Sequence, residues 1–143
     1  MNSSNSKNNP SPPPFLNRLQ NAYPDFKFKL NQPKFAFRPP HTILLGSLED
    51  PNFAPLSLHE LGHALLSHQN YKTDLERLKL ELAAWEQAKK IAPNFGIEIN
   101  QDLIEQELDT YRNWLHTKSK CKKCGLTRYE TPDGVYHCPL CDH

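Results

Sequence analysis

The chain has 143 residues, 37% hydrophobic and 23% charged, and a formal net charge of +1 at neutral pH. That length fits one modest domain and a small appendage. The near-neutral balance excludes a polycation built to coat nucleic acid, and no apolar run approaches the roughly 20 residues that a membrane helix needs.

The N-terminal stretch has no apolar segment of the signal-peptide kind, so a cytoplasmic protein without membrane contact is expected. In a reducing compartment the four cysteines point to a metal site sooner than to disulfides. Residues 1–14 are dominated by Asn, Ser, Lys and Pro. They bury too little apolar surface to offset the cost of ordering, and a disordered tail is expected.

From Phe15 the composition changes. Phe26, Lys27, Phe28, Lys29 and Leu30 alternate apolar and charged, as a half-buried strand does, and residues 34–38 do something similar. Asn31, Gln32 and Pro33 between them supply turn chemistry, so a hairpin is expected. Residues 42–46, a short apolar run ended by Gly46, form a third strand candidate.

The periodicity then turns helical. Asp50 or Asn52 can cap a first helix, and Ser57 with Glu60 offers a later capping-box spacing. Leu58, Leu61, Leu65 and Leu66 fall near one face. A second helix starts at Thr73, which forms a better capping box with Glu76. Leu75, Leu78, Leu82, Trp85 and Ile91 follow at helical spacing, and residues 93–96 end it. A third helix is expected from Gln101 to His116, with Ile104, Leu108, Tyr111 and Leu115 on one stripe.

The first of these helices carries His59, Glu60, Leu61, Gly62 and His63. Residues four apart on a helix are rotated by about 40° and stacked one turn apart, so both imidazoles can reach one ion. Glu60 sits about 100° round from His59. It can take a proton from a metal-activated water without being a ligand, which is the arrangement that metal-assisted hydrolysis needs. Gly62 removes a side chain between the histidines and can let another backbone approach. A catalytic zinc usually has three protein ligands. His68 is rotated by roughly 140° from His63 on a continuing helix and is expected to point elsewhere. Glu81 and Glu86 on the second helix are the better candidates for third ligand, with Glu76 weaker. Tyr71, Tyr111 and His116 are candidates to stabilise an oxyanion.

The stretch 58–66 followed by Glu81, Leu82, Ala83, Ala84 and Trp85 resembles the minimal gluzincin metallopeptidases of the ImmA/IrrE type. There HExxH is followed on the next helix by a glutamate ligand in an E-x-x-A setting, and Glu81 with Ala84 matches that setting where Glu86 does not. The resemblance covers residues 40–92. It implies a zincin fold, His59, His63 and Glu81 as zinc ligands, Glu60 as general base, a strand at 42–46 flanking the substrate cleft, and a peptide or protein substrate.

Cys121 with Cys124 and Cys138 with Cys141 form two CxxC knuckles. Thiolates spaced in this way can share one tetrahedral ion. Residues 127–130 and 135–137 are expected as two strands joined by Pro132, Asp133 and Gly134, a hairpin signal. The whole resembles a zinc ribbon, too small to fold without its metal. Lys118, Lys120, Lys122, Lys123 and Arg128, set against Glu130, Asp133 and Asp142, with Tyr129 and Tyr136 for stacking, would allow contact with nucleic acid. A ribbon behind HExxH is also similar to the SprT-like proteases, but those take a histidine as third ligand and none lies between His68 and His116.

The expectation is an α+β protein in three parts. Residues 1–14 are a tail; residues 15–117 are a zincin-like domain with a short sheet and about three helices; residues 118–143 are a zinc-ribbon hairpin. It would hold one catalytic and one structural zinc and hydrolyse peptide bonds. The competing expectation is a non-catalytic regulator or adaptor that works through the ribbon.

Overall fold

The computed structural model describes residues 14–68 and 70–141. The expected tail, apart from Pro14, lies outside the described residues, as does Asp142. In chain order the elements are α1 (Phe15–Ala22), β1 (Lys27–Lys29), β2 (Ala36–Arg38), β3 (Thr42–Leu44), α2 (Phe53–Leu65), α3 (Asp74–Ile91), a 3-10 turn (Ala92–Phe95), α4 (Gln101–Ser119), β4 (Tyr129–Glu130) and β5 (Tyr136–His137). The described residues are thus α+β, with four α-helices and two small sheets. None of these helices is long and apolar enough to cross a membrane.

The sheet differs from the expected hairpin. β1 and β2 do not pair; β3 lies between them, parallel to β1 through Phe28 and Ile43 and antiparallel to β2 through Phe37 and Ile43. The turn residues do not fold the chain back on β1. Instead the Asn31 and Gln32 amides donate to the carbonyls of Gly46 and Leu45, extending the pairing along the far end of β3. β3, with Ile43 fully buried, is the centre of the sheet, and of residues 42–46 only Gly46 borders a cavity beside the histidines. β2 is an edge strand, and Lys34, Phe35, Ala36, Phe37 and Pro39 on and around it face the cleft described below.

α1 is eight residues long and starts after Pro14, whose fixed φ suits a helix entry. Its Leu19 is fully buried, and Phe15 packs edge-on against Phe53 and Phe95. α2 and α3 form the heart of the molecule. An ideal Cβ on Gly62 would lie 2.5 Å from the carbonyl oxygen of Ala84, so the two backbones touch where a side chain would separate them. The buried stripe of α3 is Glu81, Ala84, Trp85, Ala88 and Ile91. Of the residues expected on the apolar side, Trp85 and Ile91 are buried and Leu78 packs against the core, whereas Leu75 and Leu82 are exposed. The Thr73 cap forms as expected: its hydroxyl accepts from the Glu76 amide at 3.1 Å. Gly96, at φ 67°, ends the 3-10 turn that follows α3.

α4 extends past His116 to Ser119, and the β4–β5 hairpin turns at Gly134, where φ is 86°. The hairpin seats against the start of α3. Both Glu130 carboxylate oxygens accept from the Asp74 amide at 2.9 Å, and the Tyr136 hydroxyl donates to Asp74 Oδ2 at 2.6 Å. Lys118 at the end of α4 lies 2.9 Å from the same Asp74 oxygen.

Candidate metal centres

α2 presents His59 and His63 towards α3, and α3 presents Glu81 towards them. His59 Nε2 lies 3.1 Å from Glu81 Oε1, and His63 Nε2 lies 2.9 Å from Glu81 Oε2. The three ligand atoms fall within 4.8 Å of one another, and all three residues are buried. Ligands of a tetrahedral zinc at bond lengths of about 2.1 Å would be spaced by about 3.4 Å. His59 Nε2 and Glu81 Oε1 are buried without a hydrogen-bond partner. Despite their closeness they are not aligned to bond each other. A polar pair buried in this way is costly unless something satisfies it, and a cation between them would. The residues present therefore fit a metal ion of the zinc class.

The electrostatics agree. Burial alone would lower the pKa of His59, but the carboxylates of Glu60 and Glu81 outweigh it and raise the value to about 9. Burial would raise the pKa of Glu81, yet its contacts with His59 and His63 bring it down to about 2. Both shifts mark a pocket that favours positive charge between imidazole nitrogen and carboxylate oxygen.

Two neighbours fix the imidazoles. The Trp85 ring stacks on His59 at 4.2 Å between centroids and 4° between planes. His68, expected to point away, instead contacts His63: the two Nδ1 atoms are 2.9 Å apart. The helix ends at Leu65 and Ser67 takes a left-handed φ of 57°, which swings His68 back over the last turn. In the tautomer that leaves His63 Nε2 free as a ligand, its Nδ1–H donates to His68. Burial and the neighbouring His63 both lower the pKa of His68, which suits a neutral acceptor. The signal for this contact, a backbone reversal at a serine, is not visible in periodicity.

Glu60 stands beside the triad, with Oε2 at 3.3 Å from His59 Nδ1, and lines the cleft. The cleft, about 300 Å³, is bounded by β2, α2, α3 and α4, with Glu60, His63, Glu81 and Tyr111 on its walls. Tyr111 also borders the adjoining cavity that reaches His59. Burial, then the Glu81 charge, push its pKa to about 12, so it keeps its proton as a donor. Tyr71 reaches the cleft as well. His116 is exposed and lines neither cavity. Glu86 is exposed and paired with Lys89, and Glu76 is exposed beside the Thr73 cap, so neither approaches the histidines. Arg77 and Lys34, cleft cations with no motif to announce them, complete the lining.

The second cluster is Cys121, Cys124, Cys138 and Cys141, none of them in a disulfide. Cys121 and Cys141 sulfurs are 3.9 Å apart, and Cys124 and Cys138 sulfurs 3.6 Å. Four sulfurs around zinc at about 2.3 Å would be about 3.8 Å apart. Backbone amides of Cys124 and Lys123 pull the Cys121 pKa down to about 6, while the Cys124 sulfur and burial push Cys141 up to about 12. Four such sulfurs carry full negative charge together only around a cation. The arrangement is compatible with a zinc ribbon. Of the two tyrosines expected to stack on bases, Tyr129 is exposed, whereas the Tyr136 hydroxyl is bound to Asp74 and its ring lies beneath Lys118 and Arg128.

No protein-family model matches this chain, and comparison with curated proteins and with solved structures gives no match.

Proposed function

We propose that this protein is a zinc-dependent metallopeptidase of the zincin type, with a zinc ribbon supporting its catalytic domain. The observation that carries the reading is the convergence of His59, His63 and Glu81 on unsatisfied buried atoms, with a further carboxylate, Glu60, in the same cleft. The two-histidine, one-glutamate donor set accords with the ImmA/IrrE resemblance and not with the SprT-like one, which needs a third histidine.

A peptide substrate is favoured by the wall opposite α2. β2 is an edge strand, and its free backbone groups can pair with an extended chain. Laid there, a peptide would run past the Glu60 carboxylate and the Tyr111 hydroxyl. Zinc, held by His59, His63 and Glu81, would lower the pKa of a water and polarise the scissile carbonyl. Glu60 accepts the water proton and returns it to the leaving amine. Tyr111, kept protonated, donates its hydroxyl to the oxyanion. Trp85 and His68 hold the imidazoles in place.

The test is a peptidase assay on zinc-loaded chain, using a pool of unfolded polypeptides read by mass spectrometry. Wild type is expected to generate new termini. Glu60→Gln should keep its metal and slow cleavage by about 10²- to 10⁴-fold. Equal cleavage by both would refute the mechanism, and none by either would favour a regulator that keeps the fold without the chemistry.

A further inference from the structure

We propose that Arg77 selects the substrate, by binding a peptide carboxylate close to the scissile bond; this rests on the peptidase reading. Arg77 lies one helical turn before Glu81 on α3, and a turn separation puts the two on one face, about 6 Å apart along the axis. Both line the same cleft.

The guanidinium is held by aromatic rings. Its carbon lies 5.6 Å from the Tyr71 centroid, 5.0 Å from Tyr111 and 4.9 Å from Trp114. Rings steady a guanidinium by its faces and leave N–H edges for a planar anion. Ion pairs hold Arg112 to Glu105 and Asp109, and Lys118 to Asp74, but among the described residues no carboxylate lies at ion-pair distance from Arg77. It therefore stands on the cleft wall without an ion-pair partner among the described residues; Asp74 feels its charge only at longer range.

The charges of this cleft are Lys34 and Arg77 against Glu60 and Glu81. Asp50 and Glu107 border the adjoining cavity, and Glu107 also lines a pocket with Arg77, though not at ion-pair distance. A divalent ion held by His59, His63 and Glu81 would offset Glu60 and Glu81 and leave this cleft positive. An extended peptide advances about 3.3 Å per residue, so a carboxylate at Arg77 belongs to a side chain, or a free C-terminus, roughly one or two residues from the scissile bond. The Arg fork matches that group with two parallel hydrogen bonds.

Binding to full-length, zinc-loaded Glu60→Gln chain separates recognition from turnover. The probes are fluorescein-labelled alanine-rich peptides carrying Glu or Gln at one position, each with a free or amidated C-terminus, read by anisotropy. The Glu-bearing or free-terminus peptide should bind about 10- to 100-fold more tightly than its neutral counterpart, and the arm that shows the difference tells side chain from terminus. Adding Arg77→Gln should abolish the difference, and Arg77→Lys, which keeps the charge without the fork, should narrow it. Absence of preference, absence of binding, or an equal loss for charged and neutral peptides in Arg77→Gln would overturn the assignment; equal loss is what mere loosening of the ring cluster would produce. A charge preference without hydrolysis by wild type would leave Arg77 as the recognition group and refute the peptidase reading alone.

Discussion

His68 and Trp85 supply what the HExxH spacing leaves open. Spacing brings two imidazoles to one side of a helix, but each ring still has two nitrogens and free rotation about its side-chain bonds. Trp85 stacked on His59 and His68 bonded to His63 remove that freedom. Groups that orient a ligand in this way commonly contribute 10- to 100-fold to metal affinity. His68→Ala should therefore weaken binding at the His59 site by about that factor while leaving helix content intact; competition with a zinc chelator, followed alongside circular dichroism, checks it. An unchanged affinity would reduce His68 to a surface residue.

At the scale of elements, the site depends on how closely α2 and α3 approach. Gly62 to Ala in an ordinary helix interior would gain about 0.8–1.0 kcal/mol. Here the added methyl meets the backbone carbonyl of Ala84, which has no flexible end to move. Gly62→Ala should instead destabilise by about 1–3 kcal/mol and loosen the metal, because the backbones that separate carry His63 and Glu81. Urea unfolding of the two chains reads the sign directly.

The same elements show what the sequence reveals and what it hides. Local features were legible: the Thr73 capping box, the Gly96 stop, the close approach at Gly62 and the turn at Gly134 all act through neighbouring backbone atoms. The proximity of His59, His63 and Glu81 followed from helical spacing and a family resemblance. Strand pairing was not legible. β1 and β2 alternate in the way a hairpin would, but three-residue strands carry too little pattern to show that β3 inserts between them. The face of α3 was legible only in part. Leu78, Trp85 and Ile91 join the core as their spacing implies, whereas Leu75 and Leu82 are exposed and the small Ala84 and Ala88 share the buried face. Arg77 had no signal at all, since its role depends on three rings brought together from α4 and the loop before α3.

Across the whole molecule, the cysteine hairpin and α3, the helix that bears Glu81, are joined at Asp74. The Glu130 carboxylate occupies the positive end of α3, where the helix dipole favours an anion. Burial would raise the pKa of Asp74, but the Tyr136 hydroxyl, Lys118 and Arg77 outweigh it and hold the carboxyl below its usual range. A carboxyl depressed in the folded state stabilises above its unfolded pKa, about 3.9, and that contribution is lost as pH falls through the folded value. The stability gap between wild type and Asp74→Asn should therefore be full near neutrality and close under acid. Denaturant melts at pH 7 and across the acid range measure it, and a gap that widens as pH falls would contradict the sign.

With a metal bound, the seam would give the cysteine hairpin a mechanical task. Its metal would hold β4 and β5 where Glu130 and Tyr136 can grip the start of the helix that bears Glu81. Metal content tests the central claim most directly. Two groups of ligands predict two zinc ions per chain, measured by mass spectrometry of the metal in purified protein. His59→Ala should lose one of them and Cys121→Ser the other. A single ion, retained when His59 is removed, would contradict the account.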